Sequence, residues 1–343
     1  MKNKKLKAID LFSGCGGLSL GLKKSGFDVI AAVEIDSLAA ETYAQNHKNT
    51  KLIEQDIRKI NPTKLMKELG LKKGDLDLIA GCPPCQGFST LRTNRKTVAV
   101  QDYRNNLMFN FLDFVRAFLP KAIMMENVPG LAKGRRIAKF VSELKSMGYE
   151  VKFDVLNVAH YGVAQRRKRF ILVAGHKRPI EFAKPAKKMI TVGDALKGLE
   201  SPLKSFDPAH NHGEKRNEKI REMISYIPLD GGSRTSLPKR LQMKCHQKTK
   251  GFLDVFGRIK WNDVGPTITG GCINPTKGRF LHPFENRTIT VREAALIQSF
   301  PKSYYFSMRK GKHGAALMVG NALPPEFIRR HAKVIKDSIL GEK

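Results

Sequence analysis

Apolar positions along the first half of the chain follow two alternating rhythms. Short apolar runs at Lys7 to Asp10, Asp28 to Glu34, Leu76 to Gly81 and Ala122 to Glu126 read as strands. Apolar stripes of helical period at Leu18 to Lys24, Ser37 to Asn46, Asn106 to Leu119 and Ile137 to Met147 read as helices. Strands that alternate with helices predict an α/β fold, a doubly wound and mostly parallel sheet. Val151 to Val158 and Arg169 to Ala174 read as a closing antiparallel pair. From about Pro179 the texture changes to prolines, the pair Gly231 and Gly232, short apolar runs and frequent lysines. This predicts a second, smaller, loop-rich domain. Helical period returns at Val291 to Ser299 and at Pro325 to Ile339, where a first-turn proline opens the helix. The expected organisation is one domain over 1–180, a second over 181–285, and a return over 286–343 that completes the first.

Composition narrows the picture. A chain of 343 residues with 41% hydrophobic content can bury a full core. No apolar run approaches the roughly 18–20 residues of a membrane span, and the lysine-rich start lacks the apolar core of a signal peptide. A cytoplasmic protein without membrane association is expected. Five scattered cysteines, Cys15, Cys82, Cys85, Cys245 and Cys272, argue for free thiols rather than a disulfide framework. The net charge of +31 points to a polyanionic partner, most simply nucleic acid. Because residues 177–279 hold 21 basic and 10 acidic side chains, a density close to that elsewhere, the expected anion surface is a broad cleft and not a tail.

Chemistry concentrates at the turns that follow the strands. Asp10 to Gly17 (DLFSGCGG) is a glycine-rich turn between strand and helix, and Glu34 ends the next strand where a carboxylate can bond ribose hydroxyls. Together they suggest an adenosine-containing cofactor, although Ser19 replaces the third glycine of a dinucleotide fingerprint. Asp56, after the run Lys51 to Glu54, is placed to reach an adenine amine. Gly81 to Ser89 (GCPPCQGFS) ends a strand with two prolines and presents Cys85 on a stiff loop as a candidate nucleophile. Cys82 and Cys85 form a CxxC, but no second pair supplies zinc ligands, and an exchange thiol is expected nearer the start of a small domain. No metal is expected. Glu126 (ENV) ends its strand on the same rim as Cys85, while Gln165 to Arg169 (QRRKR) brings four cations into a strand start.

These motifs carry a resemblance. DLFSGCGGLSLG at 10–21, GCPPCQGFS at 81–89, ENV at 126–128, QRRKR at 165–169, REAALIQSFP at 292–301 and GNALPP at 320–325 resemble, in order, the motif set of the DNA (cytosine-5) methyltransferases of prokaryotic stand-alone type. The likeness spans nearly the whole chain. It implies an S-adenosylmethionine-dependent methyltransferase fold with a target-recognition domain at 181–285. It also implies methyl transfer from S-adenosylmethionine to C5 of a cytosine flipped out of a specific short sequence of double-stranded DNA.

By the same resemblance Cys85 is the nucleophile that adds to cytosine C6, and Glu126 stabilises charge developing at N3. Arg169 faces O2, and Arg167 braces the catalytic loop and phosphates. The cofactor would be held by Phe12, Ser13, Gly14, Gly16, Gly17, Glu34, Ile35, Asp56, Ile57, Pro83, Leu107, Asn321 and Ala322. Ile35 stands where the family often has a large aromatic side chain, which weakens stacking there. Gln86, Ser89, Arg258, Thr267 and Thr269 are the candidates for DNA contact, with Gly257 to Trp261 as a plain strand the alternative for Arg258. The stretches Gln86 to Thr90 and Arg92 to Lys96 are expected to close over DNA. A monomer is expected, with any cognate restriction endonuclease acting as a separate protein. The competing readings are tRNA cytosine methylation, a catalytically silent DNA-binding protein, and an NAD-dependent or thiol oxidoreductase.

Overall fold

The structure is a computed structural model that describes residues 5–84, 106–212, 216–243 and 253–342. The chain divides into two compact units: Met1–Tyr161 with Lys168–Pro185 and Leu323–Lys343, and Gly162–Arg167 with Ala186–Ala322.

In the first unit the described elements run β1 (Lys7–Leu11), α1 (Gly17–Lys24), β2 (Asp28–Glu34), α2 (Ser37–Asn46), β3 (Lys51–Glu54), α3 (Pro62–Glu68), β4 (Leu78–Gly81), α4 (Leu107–Phe118), β5 (Ala122–Asn127), α5 (Arg135–Ser146), β6 (Tyr149–Asn157) and β7 (Lys168–His176). The second unit holds α6 (Val192–Leu196), α7 (Glu218–Ser225), α8 (Val291–Ile297) and α9 (Gly311–Asn321), and α10 (Pro325–Leu340) lies in the first. The seven strands form one sheet in the order β3-β2-β1-β4-β5-β7-β6. The first five are parallel, whereas β7 runs antiparallel to both of its neighbours. The predicted doubly wound sheet and closing antiparallel pair are therefore both present.

Local sequence explains these elements. All six residues of β5 are buried, which is why that strand reads as an apolar run without alternation. Helix α5 instead buries a stripe of Ile137, Phe140 and Leu144 and leaves its basic face outside. Asp36 caps α2 by accepting from the N–H groups of Leu38 and Ala39, which fixes the chain immediately after Glu34. Phe111, Phe114 and Phe118 of α4 join Ile9, Ile79 and Ile123 of the sheet in the core, each such burial worth about 1.5–3 kcal/mol. Helix α10 lies so close to α1 that a Cβ on Gly21 would sit 2.5 Å from Cβ of Ile328. That approach needs a residue without a side chain.

The second unit is built differently. Its described strand pairing is limited to isolated bridges, among them Gln165 with Gly265 and Arg258 with Leu281. One cluster of its buried residues is Met223, Ile224, Ile227, Leu237, Phe256 and Leu281. The unit boundaries depart from the expected split at 285/286, since α8 and α9 belong to the second unit and only the chain from Leu323 rejoins the first. The reason is local packing: every residue of α8 is buried, and the side chain of Gln298, just past it, bonds Gln165 and the Val319 carbonyl. Among the described residues no helix is long and apolar enough to cross a membrane.

Candidate active site

The glycine-rich turn leaves β1 through backbone conformations that few side chains tolerate. Phe12 has φ 63°, Gly14 φ 54° and Gly16 φ 92°, so a non-glycine residue is held in the left-handed region at the mouth of a cleft. Such strain persists only where surrounding bonds fix it. Here the Ser13 N–H donates to the Val33 carbonyl at 3.0 Å, and the Gly14 N–H donates to Glu34 Oε2 at 2.7 Å. A Cβ on Gly14 would meet nothing within 4 Å, which leaves open space beside the turn. Gly17 is the first residue of α1, and Ser13 is buried.

Glu34 is the hub of this site. Its Oε1 accepts from the N–H groups of Ile35 at 2.9 Å and Asp36 at 2.8 Å, while Oε2 takes that of Gly14. Burial raises its pKa above the ordinary carboxylate value, against the opposing pull of these three donors. The cleft is lined by Phe12, Val33, Glu34, Ile35, Gln55, Asp56, Ile57, Arg58, Pro84 and Leu107. Six residues expected to hold a cofactor, Phe12, Glu34, Ile35, Asp56, Ile57 and Leu107, are thus brought to one place. Ile35 is 65% exposed, a large apolar side chain turned to solvent where a flat ring could cover it. Pro83 stands beside the site through its carbonyl, which accepts from the Asn127 side chain at 2.8 Å, and the neighbouring Pro84 lines the cleft instead.

At the carboxyl ends of the central strands, Glu126 and Arg169 form a partly buried ion pair, with Arg169 Nε 2.7 Å from Glu126 Oε1. The pairing of Glu126 with Ile171 across β5 and β7 places the two side chains on one rim. Arg169 also donates from Nη1 to the Lys168 carbonyl at 2.8 Å. Cys82, next to Glu126 by the register of β4 and β5, has its thiol pushed well above the ordinary pKa by burial and then by the carboxylates of Glu126 and Asp10. A thiol so held stays protonated and is a poor nucleophile. Cys85, Gln86, Ser89 and the stretches through Lys96 lie outside the described residues.

Two expectations are corrected by burial. Arg258, a candidate for gripping guanine, is fully buried. Its guanidinium donates to the carbonyls of Ile227, His282, Glu285 and Ile224 and to Asn286 Oδ1, at 2.5 to 3.0 Å. No N–H remains to read a base. It is also not part of a strand, only of an isolated bridge. Arg167 is 3% exposed and donates to the carbonyls of Ile268 at 2.7 Å and Gly320 at 3.0 Å. It braces backbone of its own unit, so its cation is not presented to phosphate.

The remaining expected residues lie in the second unit. Thr267 donates to the Arg166 carbonyl at 2.5 Å, whereas Thr269 is exposed. Asn321 ends α9 and Ala322 caps it. A Cβ on Gly320 would lie 2.1 Å from the Gly270 nitrogen, so the glycine of GNALPP permits α9 to meet the turn at Thr269. Sequence reading missed Gln55 and Arg58 in the cleft. Arg58 had a signal, an arginine two positions after an aspartate expected to hold the cofactor, but its direction is set by the turn it sits on.

The comparisons with known proteins agree with this geometry. A sequence model of the family described as C-5 cytosine-specific DNA methylase matches residues 6–337. The type II methylase M.HgiDII of Herpetosiphon aurantiacus is 33% identical to the chain, over 97% of it and 96% of the relative. The type II methyltransferase M1.HphI of Haemophilus parahaemolyticus is also 33% identical, over 96% and 86%. Among solved structures, a DNA modification methyltransferase encoded within a prophage (E. coli) superposes with a TM-score of 0.71 at 25% identity, covering 98% of this chain and all of the other. A sheet whose strand ends gather Glu34, Glu126 and Arg169, under a family match that spans almost every residue, leaves one conclusion: the chain belongs to the C-5 cytosine-specific DNA methylases and is a DNA (cytosine-5) methyltransferase of the type II kind.

Proposed function

We propose that the enzyme binds S-adenosylmethionine in the cleft of the first unit and methylates a cytosine flipped out of a short duplex sequence, through a covalent adduct at Cys85. The cleft's own chemistry fits such a cofactor. Phe12, Ile35, Ile57 and Leu107 offer apolar surface for a flat ring, and Glu34 and Asp56 offer carboxylate acceptors for ribose hydroxyls and an exocyclic amine. When bound, the cofactor supplies an electrophilic methyl group for C5.

The observation that carries the reading is the Glu126–Arg169 pair on the rim of the sheet where β4 runs into Pro83 and Pro84, the residues directly before Cys85. Cytosine C5 is a weak nucleophile until C6 is attacked. Addition of the Cys85 thiolate to C6 moves electron density toward C5 and N3, and Glu126 meets N3 with a proton between them. Arg169 fixes Glu126 and offers its remaining N–H groups to O2. Loss of the C5 proton to a base and β-elimination then return Cys85 as a thiolate. A base inside a duplex is out of reach of this chemistry, so flipping at a cost of a few kcal/mol is part of the proposal. Thr267 and Thr269 in the second unit are kept as candidates for DNA contact. The enzyme is proposed to act as a monomer, with any cognate endonuclease a separate protein.

Incubation with labelled S-adenosylmethionine and duplex DNA tests the reading. Label in C5 of cytosine is expected, with covalent trapping at Cys85 by duplex containing 5-fluorocytosine. Cys85→Ala should abolish both, and Cys82→Ala should keep most activity because its thiol is held protonated. Transfer to tRNA but not to DNA would replace the substrate, and trapping that survives Cys85→Ala would remove the proposed nucleophile.

A further inference from the structure

Arg58 is the one charged side chain among the described residues lining the cleft that neither the motif resemblance nor the chemistry above uses. It follows Asp56 on a short 3-10 turn, Ile57–Lys59, which Asp56 caps by accepting from the Arg58 N–H at 3.0 Å. The guanidinium then folds back on the same carboxylate. Arg58 Nε lies 3.0 Å from Oδ1 and 2.9 Å from Oδ2, and Nη2 also donates to Oδ2. Both residues line the cleft, Asp56 with its side chain 13% exposed and Arg58 with 45%.

The consequence lies in counting acceptor positions. An ionised carboxylate has about four lone-pair sites, and three N–H groups of a single residue, one of backbone and two of the fork, already converge on this one. Backbone and fork together fix the plane of the carboxylate, which a surface aspartate would otherwise turn freely. What remains is an acceptor with one preferred direction. The fork also holds the Asp56 carboxyl below its ordinary pKa, so the group accepts and does not donate.

We propose that Arg58 is a positioning residue that aims Asp56 and thereby makes the cleft select adenine, with its 6-amino donor, over a purine carrying an oxygen at that position. The inference rests on the reading of the cleft as the cofactor site. A fixed, acceptor-only group gains a hydrogen bond from an amine and meets repulsion from a carbonyl oxygen. A freely turning one averages over both and discriminates less.

The test is binding rather than turnover. Calorimetric titration of the full-length enzyme with S-adenosylhomocysteine and with its deaminated counterpart, S-inosylhomocysteine, gives an affinity ratio. The ratio is expected to be about tenfold or more in the wild type, the range of one hydrogen bond to a charged group. Arg58→Ala should bring it close to that of Asp56→Ala, and the double variant should fall no further. Arg58→Lys, which supplies a point charge without the fork, should restore it only in part. Glu34→Gln serves as the control, since it should weaken both ligands together and leave the ratio alone. A ratio unchanged by Arg58→Ala in an enzyme that binds S-adenosylhomocysteine overturns the role of Arg58 and leaves the cofactor reading standing. A wild type that binds neither ligand overturns the cofactor reading, and this inference with it.

Discussion

Arg169 of the first unit and Arg258 of the second serve opposite ends. In the first, Arg169 stands at a strand end with a carboxylate partner, because the sheet ladder already satisfies the backbone around it and frees the cation for the site. In the second, where described strand pairing is confined to isolated bridges, arginines take over the work of a ladder. Arg258 bonds four carbonyls, and Arg279 bonds those of Gly231, Gly232 and Arg258. Arg216 reaches the carbonyl of Ile273 and Arg166 that of Val264. A loop-rich chain buries carbonyls without partners unless something with many donors reaches them, and the guanidinium has five. A net charge of +31 therefore overstates the surface available to DNA.

Arg258→Met removes the most heavily used of these guanidinium groups. It leaves several buried carbonyls unsatisfied at once and should destabilise the second unit by about 3–5 kcal/mol. The single tryptophan, Trp261, lies in that unit against Phe284, so its fluorescence in a urea titration reports the loss directly. Arg258→Lys should not rescue, since one ammonium cannot span the same acceptors. An unchanged midpoint for Arg258→Met would mean that the carbonyls find other donors and that the contrast between the units is wrong.

Glu126→Gln and Arg169→Lys probe the other side. Both should lower single-turnover methyl transfer by about 100-fold, the scale of removing one preorganised charge partner from a transition state, with little change in stability. If either variant unfolded the enzyme as Arg258→Met is expected to, arginine would be structural in both units.

What the sequence made legible follows the same divide. The doubly wound, mostly parallel sheet and the positions of Glu34, Asp56, Glu126 and Arg169 could be read because these polar residues sit at or just beyond the ends of short apolar runs. Arg258 could not, since burial in loops has no periodic signature and a buried arginine looks like a contact in one dimension. The assignment of α8 and α9 failed for a related reason. Their fully or largely buried faces announce packing but not the partner, and the Gln165–Gln298 bond spans 133 positions. Asp10 was legible as part of a motif but not as a buried acid.

That acid gives the next prediction. Asp10 Oδ2 accepts from Ser19 Oγ at 2.6 Å, and Ser19 in turn meets the Tyr43 hydroxyl at 2.7 Å. Burial raises the Asp10 pKa to about 7, with Glu34 adding to the rise. The folded state thus holds a proton that the unfolded chain, with an ordinary value of 3.8, releases earlier. Its contribution to stability is full below pH 4 and is lost as pH rises through 7. His331, against Tyr161 and Phe327, has the reverse slope. Burial lowers its pKa to about 4, so its contribution is full above pH 6.5 and lost as pH falls. Relative to the wild type, Asp10→Asn should remove a fall in stability of roughly 1–3 kcal/mol as pH rises from 4 to 7, and His331→Phe a fall of similar size as pH drops from 6.5 to 4. The two slopes oppose one another between pH 4 and 6.5, so urea midpoints of each single variant against the wild type over pH 4 to 8 separate them, and variant profiles that parallel the wild type's would mean that neither group stays in its buried protonation state.

The smallest effect tests how much of the charge meets DNA. Lys277 is exposed beside the turn of Thr269 to Gly271, where a Cβ on Gly271 would sit 2.9 Å from Lys277 Cγ. If that turn contacts DNA, Lys277→Ala should weaken binding a few-fold for every sequence alike. It should also reduce the slope of log affinity against log salt by about 1, the signature of one lost phosphate contact. Arg279, which is spent on three carbonyls, should behave otherwise. Its replacement should lower stability and leave the salt slope of the folded fraction unchanged. Counting slopes over such variants converts a formal charge into a number of phosphate contacts. Equal slope changes for Lys277 and Arg279 would show that burial does not decide which cations reach DNA.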